Sequence, residues 1–226
     1  MKAVIFDMDG VIIDSEPIHA RIEKGLLEEL GGHISDEEYL KYVGMTDEAM
    51  WSSFKENYDL KPSVDDLIAT KKERFMEEIH NVPLVEDFKE VLDAFYENGC
   101  KIALASSNNK VTVDKIIKEF SLSSYFETAI SGEEITHGKP HPEIFLTAAD
   151  HMDVEPKECL VFEDATNGVE AAKAAGMKCI GLDNPNSGEQ DLSEADWVID
   201  TFEDLNIEQL KTDFDKWYQE SFGDKV

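Results

Sequence analysis

The stretch Ile5-Phe6-Asp7-Met8-Asp9-Gly10-Val11 decides how this chain is read, because an apolar run breaks there at a glycine and carries two carboxylates at alternate positions. Val4, Ile5 and Phe6 are continuous, β-prone and bounded by a turn signal, which predicts a short buried strand. Side chains alternate along an extended chain, so Asp7 and Asp9 face one small volume if the extended path persists past the strand end. Two acids so placed repel unless a cation joins them, and an all-oxygen donor set suits Mg²⁺. The same residues also read as an acidic loop closing a strand. Only the rest of the chain separates the two readings.

A chain of 226 residues with 42% hydrophobic residues has room for one large domain, or for a core domain and a smaller one. Against 50 acidic side chains stand 21 basic ones, a formal charge of −29, which argues against nucleic acid or an anionic membrane as partner. An anionic substrate would need local cations of its own. Cys100, Cys159 and Cys179 have no metal-like spacing and fall in or beside expected strands, so they read as buried structural thiols in a reducing compartment. No apolar run approaches a membrane span, and Asp7 and Asp9 interrupt any signal-peptide core. The expectation is a soluble, cytoplasmic, monomeric protein.

From about residue 86 onward, helix and strand patterns alternate. Strands are expected at Lys101–Ala105, Thr128–Ile130, Cys159–Phe162, Lys178–Leu182 and Trp197–Ile199. Helical periods run over Asp87–Asn98, Val111–Phe120, Pro142–His151 and Asn167–Ala175, with helical patterns filling Phe202–Phe222. Such alternation implies an α/β fold, a Rossmann-like parallel sheet with helices on both faces. Residues 15 to about 83 differ, because Pro17–Leu30, Asp36–Tyr42, Thr46–Tyr58 and Val64–Ile79 all read as helices. This predicts an inserted all-helical cap domain, 15–83, on a catalytic core of residues 1–14 and 84–226. Asp14-Ser15-Glu16-Pro17 and Asn81-Val82-Pro83-Leu84 would be the hinges.

In open parallel sheets, ligands sit beyond the carboxyl ends of the strands. Four such ends carry Asp7 and Asp9, then Ser106-Ser107-Asn108-Asn109, then Gly138-Lys139-Pro140, then Glu163-Asp164. A carboxylate at Asp7 can attack phosphorus in line, and Asp9 can protonate the leaving alkoxide and later take a proton from the acceptor. Gly10 lets the backbone turn where a Cβ would crowd the ligand. Mg²⁺ on Asp7, Asp164 and the Asp9 carbonyl, with Glu163 a ligand or the holder of a bound water, would suppress repulsion between nucleophile and phosphate. Lys139 would neutralise phosphoryl oxygens and Ser106 donate to one. Singly, Ser106 reads as a turn residue, Lys139 as a solvated loop lysine, and Glu163-Asp164 as the start of a helix. Their succession along one chain joins them.

FDMDGVIIDSEPIH (6–19), ALASSN (103–108), GKPHPEIF (138–145) and VFEDATNGVEAAKAAGM (161–177) resemble the four ordered motifs of the haloacid dehalogenase-like superfamily. The nearer likeness is to the subgroup of β-phosphoglucomutase and small sugar-phosphate phosphatases. The resemblance implies Asp7 as nucleophile, Asp9 as acid/base, Ser106 and Lys139 as phosphate ligands, and Mg²⁺ on Asp7, Asp9 and Asp164 with Glu163 in or near the ligand set. An aspartate at position 9 marks phosphoryl transfer within it. The cap would close over the site and choose the substrate. His19 and Lys71 match positions near the substrate or hinge in β-phosphoglucomutase, and Thr46, Ser107 and Asn108 complete the substrate-side candidates. Read from the residues alone, His19 shares a stripe with Ile22, Leu26 and Leu30 and serves equally as a packed histidine. Lys71 lies in Lys71-Lys72-Glu73-Arg74, a charged face that is usually solvated. Asp47 departs from the mutase pattern, which carries an arginine there to grip the far phosphate of a sugar bisphosphate.

The expected activity is Mg²⁺-dependent hydrolysis of a small phosphorylated metabolite, a sugar phosphate, through a phosphoaspartate. A phosphosugar mutase shares the first half-reaction and is the alternative. A phospho-receiver signalling domain is remote, because its phosphorylated aspartate follows the third strand, where this chain has Ile130-Ser131-Gly132.

Overall fold

The computed structural model describes residues 1–43 and 45–222. After β1 (Ala3–Phe6) come four helices, α1 (Glu16–Glu29), α2 (Asp36–Tyr39), α3 (Asp47–Tyr58) and α4 (Val64–Glu78). The chain then alternates α5 (Phe88–Glu97), β2 (Lys101–Ala105), α6 (Lys110–Glu119), β3 (Thr128–Ile130), α7 (Glu143–His151), β4 (Cys159–Glu163), α8 (Thr166–Ala174), β5 (Lys178–Leu182), β6 (Trp197–Ile199) and α9 (Ile207–Phe222). All strand pairings are parallel, in the order β3-β2-β1-β4-β5-β6. The fold is α/β and Rossmann-like, with an inserted helical block.

Strand alternation sorts the core into two faces. Val4 and Phe6 join Ile102, Leu104, Leu160 and Phe162 under Phe88, Leu92 and Phe95 of α5, Val113 and Ile116 of α6, and Phe214 of α9. Ala3 and Ile5 join Ala103, Ala105, Cys159 and Val161 under Ile144, Phe145 and Ala148 of α7 and Val169 and Ala172 of α8. The first face is aromatic: Phe6 stacks on Phe162 at 4.9 Å and meets Phe88 edge-on at 5.3 Å. Truncating such a buried phenylalanine to alanine costs about 3–5 kcal/mol. Cys159 and Cys179 are buried free thiols and Cys100 a half-buried one.

The helical block has its own apolar core, built from Leu26, Leu27, Met50, Trp51, Phe54 and Leu67. Ser35, Thr46 and Ser63 each accept a backbone N–H of the helix they precede, satisfying donors that would otherwise be orphaned. The chain enters and leaves this block side by side: Asp14 N donates to Pro83 O and Val85 N to Ile12 O, both at 3.0 Å. Two expected helices are shorter than the pattern suggested. Over 36–42 only Asp36–Tyr39 is helical, held by the Ser35–Glu38 capping box, and Leu40 beyond it is exposed rather than continuing a buried stripe. The last helix starts at Ile207, because Asn206 Oδ1 accepts Gln209 N at 2.9 Å and caps it; Phe202–Asp204 is a separate 3₁₀ turn. No helix among the described residues is long and apolar enough to cross a membrane.

Candidate active site

The sheet order reverses between β1 and β4, the place where open α/β sheets leave a crevice beyond the strand ends. Asp7 follows β1 directly, and its N–H donates to Phe162 O at 3.0 Å, which sets it beside Glu163, the last residue of β4. The chain then turns tightly: Ile12 N and Ile13 N donate to Met8 O at 2.8 and 3.0 Å, and Gly10 N to Ile13 O at 2.8 Å. Gly10 sits at φ +73°, and a Cβ there would lie 1.9 Å from Asp164 Oδ2. Only glycine fits that position. Asn184 Nδ2 donates to Gly10 O at 3.0 Å and pins the turn from the loop after β5.

Asp7, Asp9, Lys139, Glu163 and Asp164 line one cavity of about 430 Å³. The Lys139 ammonium is enclosed, ion-paired with Asp7 and 2.5 Å from Glu163 Oε1. Glu163 Oε2 accepts Asp164 N and Ala165 N, each at 3.0 Å, so this carboxylate is fully engaged by the protein. It occupies space left by Gly168, whose Cβ would lie 1.8 Å from Oε1. Asp164 accepts from Ser187 Oγ. Burial raises the Asp7 carboxyl well above the usual range against the pull of Lys139. Asp164 is pushed up to about 8, first by burial and then by Glu163.

Ligand oxygens of Asp7, Glu163 and Asp164 lie within 4.8 Å of one another, all buried. A cluster of buried carboxylates around one ammonium ionises fully only beside a further cation, and its donors are all oxygen. Both properties fit Mg²⁺.

Asp9 faces the same cavity with each oxygen held: Ser15 Oγ donates to Oδ1 and Asn108 Nδ2 to Oδ2, both at 2.5 Å. Burial nonetheless raises its carboxyl above the ordinary value.

Of the other candidates, Ser107 lines the cavity, whereas Ser106 lies buried beneath it, its Oγ accepting Asn108 N at 3.1 Å. Thr46 is exposed and caps α3. His19 stacks on Phe75 with ring centroids 4.2 Å apart, and burial with the nearby Lys71 lowers its pKa to about 3, so it is a packed, neutral ring. Lys71 corrects the solvated-face reading: its side chain is 10% exposed, 2.7 Å from Glu23 Oε1 and paired also with Asp47. Those partners sit on α1 and α3, so the face that looks solvated along α4 is closed by neighbouring helices. Sequence reading also missed Ser15, Ser187 and Glu16. Glu16 lines the cavity, and its carboxyl is raised to about 7 by burial and then by Glu23. No spacing in the chain marks them; Ser15 and Glu16 were legible only as hinge residues.

The phosphorylated carbohydrates phosphatase of Thermotoga maritima is 32% identical over 184 residues, covering 80% of this chain and 84% of that protein. Hexitol phosphatase B of Escherichia coli is 30% identical over 190 residues, 82% of this chain and 85% of that protein. The crystal structure of CbbY from Rhodobacter sphaeroides in complex with phosphate shares the fold, with a TM-score of 0.78 over 91% of this chain and 96% of that chain at 24% identity. A family model described as haloacid dehalogenase-like hydrolase matches residues 4–182. With that match running from within β1 to the end of β5, this chain belongs to the haloacid dehalogenase-like hydrolases.

Proposed function

We propose that the protein is a Mg²⁺-dependent phosphomonoester hydrolase that acts on a small sugar or polyol phosphate through a phosphoaspartate on Asp7. Residues 15–83 serve as the cap and residues 1–14 and 84–226 as the catalytic core. The observation that carries this reading is the enclosed Lys139 ammonium held against Asp7 at the switch point of the sheet. A phosphoryl anion delivered to that lysine arrives beside the Asp7 carboxylate.

In the first step an Asp7 oxygen forms a bond to phosphorus while the bond to the leaving alkoxide breaks. Asp9 enters protonated, as its raised pKa favours, and gives its proton to that alkoxide. Ser15 and Asn108 fix both Asp9 oxygens, so the same carboxylate is in place to take a proton from the water that then attacks the acyl phosphate. Inorganic phosphate leaves and Asp7 is restored. Lys139 stabilises the phosphoryl oxygens, with Ser107 supplying a donor at the cavity wall and Ser106, behind it, holding the loop after β2 through Asn108 N. Mg²⁺, held by Asp7, Asp164 and the Asp9 carbonyl with Glu163 nearby, would neutralise charge between nucleophile and phosphate.

Hydrolysis is favoured over a bisphosphate-using mutase by the cap. Lys71, a cap cation whose charge reaches Asp9, is already paired with Glu23 and Asp47, and Glu16 adds a further acid at the cavity wall. A second phosphate would meet carboxylates there. The test is a panel of sugar and polyol monophosphates with and without chelator. Multiple-turnover release of inorganic phosphate, lost on chelation and in Asp7→Asn, is expected. Conversion of glucose 1-phosphate, with a trace of bisphosphate, into glucose 6-phosphate without free phosphate would replace this reading with the mutase.

A further inference from the structure

We propose that His137, His141 and Glu143 form a second cation site, for a zinc-class divalent ion, on the exposed side of the loop that delivers Lys139. One ligand atom from each lies within 4.8 Å of the others. Glu143 Oε2 is 2.9 Å from His137 Nδ1 and 3.8 Å from His141 Nδ1, and the two imidazole centroids are 4.6 Å apart. Zinc bonds to imidazole and carboxylate are about 2.0–2.2 Å, which sets ligand atoms of a tetrahedral site roughly 3.3 Å apart. The two separations from Glu143 lie on either side of that value, so modest rotation of the imidazoles closes the site.

The carboxylate is oriented in advance. Glu143 opens α7, its Oε1 accepting Thr136 N at 2.7 Å and its Oε2 accepting His137 N at 3.0 Å. The remaining contact to be exchanged is long: His141 Nδ1 accepts Glu143 N at 3.3 Å. An ion would take that nitrogen's lone pair and would replace the 2.9 Å contact between His137 Nδ1 and Glu143 Oε2. Both histidines are exposed, so the ion can enter from solvent and a fourth position stays open to water.

The donor chemistry separates this site from the acidic cavity. Two imidazoles and one carboxylate select zinc, nickel or copper over Mg²⁺, whereas the oxygen-only set of Asp7, Glu163 and Asp164 selects the reverse. The site also ties together residues on both sides of Lys139 and anchors them to α7. An ion bound there cross-links the loop that positions the phosphate-binding lysine. This inference does not depend on which phosphate ester is hydrolysed.

The test is equilibrium dialysis of the whole protein against Zn²⁺ in a large excess of Mg²⁺, with bound zinc counted per chain. The expected result is one zinc per chain in the wild type and an affinity at least about tenfold weaker in the His137→Ala/His141→Ala double variant. Zinc should also raise the Tm of the wild type and leave that of the double variant unmoved, since an ion bound only to the folded state stabilises it. The single variants His137→Gln and His141→Gln, each checked for an unchanged zinc-free Tm, keep the comparison valid should the double variant fold poorly. Equal zinc binding by wild type and variants, or no zinc retained by the wild type against Mg²⁺, overturns the proposal.

Discussion

Replacing Lys139 by methionine keeps the stem and deletes the ammonium that holds the acidic cavity together. Its side chain is 5% exposed and those of its partners Asp7 and Glu163 are 10% and 1% exposed, so the pair is buried. Removing one member of a buried pair leaves the other charged and uncompensated, at about 3–5 kcal/mol. A domain of ordinary stability has only about 5–15 kcal/mol in total. The deficit must depend on pH. Asp7 and Asp164 have raised carboxyls in the folded protein, Asp164 at about 8. An unfolded aspartate releases its proton near pH 4, at about 3.9. Between those values the folded chain holds protons that the unfolded chain has lost, so stability falls as pH rises through the window. Without Lys139, Asp7 loses its opposing cation and rises further. The variant should therefore lag most at pH 8 and least at pH 5. Mg²⁺ at a hundredfold its Kd should return about 2.7 kcal/mol to either protein. Urea unfolding in chelator at both pH values, then with Mg²⁺, measures all of this. Trp197 and Trp217 pack against the sheet core and Trp51 inside the helical block, so fluorescence follows both. A deficit below about 1 kcal/mol at pH 8, or one indifferent to pH, would refute the view that this ammonium compensates the cluster.

Gly10→Ala forces a non-glycine residue to positive φ and drives its Cβ into Asp164, so a loss of about 1–3 kcal/mol and at least a hundredfold drop in kcat are expected; near-normal turnover would contradict the placement of Asp164. Asp9→Asn should slow phosphoenzyme formation by about 10²–10⁴-fold and flatten the alkaline limb of the kcat profile, because the raised Asp9 carboxyl no longer titrates; an unchanged profile assigns the proton to another group. Asp47→Ala releases one of the two carboxylates on Lys71, so inhibition by a sugar bisphosphate should strengthen by about tenfold, roughly 1.4 kcal/mol, while KM for a monophosphate moves little; equal inhibition of variant and wild type would remove the cap from phosphate selection.

What could be seen in the chain follows from how local each signal is. β2, β3, β5 and β6 have the bounds expected: the central β2 and β5 are covered on both faces and write continuous apolar runs, and the short edge strands β3 and β6 are apolar runs closed by turn residues. Asp7, Glu163 and Asp164 were legible because each is fixed by the end of a strand, and the parallel sheet brings those ends together; Lys139 joins them from the loop between β3 and α7. Asp9 shares their cavity, although the chain bends at Met8 rather than continuing extended. Lys71 was not legible. Its meaning depends on Asp47, 24 positions away on another helix, and helix–helix pairing leaves no mark in the spacing along α4. The clamp on Asp9 was hidden likewise, since Asn108 reaches it from 99 positions away. Leu40 and Asn206 show the other limit, where an apolar pattern runs past a helix end that burial and capping decide.

The charge of −29 looks hostile to a phosphate ester, and the cavity sharpens the difficulty, since Asp7, Asp9, Glu16, Glu163 and Asp164 line it with Lys139. The resolution lies in linkage. A divalent cation that lowers the negative potential at Asp7 and Asp164 raises the affinity for a phosphoryl anion, and the bound anion must raise the affinity for the cation by the same factor. On the proposed function, the acidic wall thus makes productive binding conditional on both partners. On the cap side the Lys71 ammonium is already engaged by Glu23 and Asp47. What remains there is a set of hydrogen-bond acceptors, with Glu16 poised near neutrality to donate or accept. Hydroxyl groups satisfy such a wall and a second phosphate does not. On the proposed reading, one lysine selects the reacting phosphate and the cap acids select the polyol that carries it.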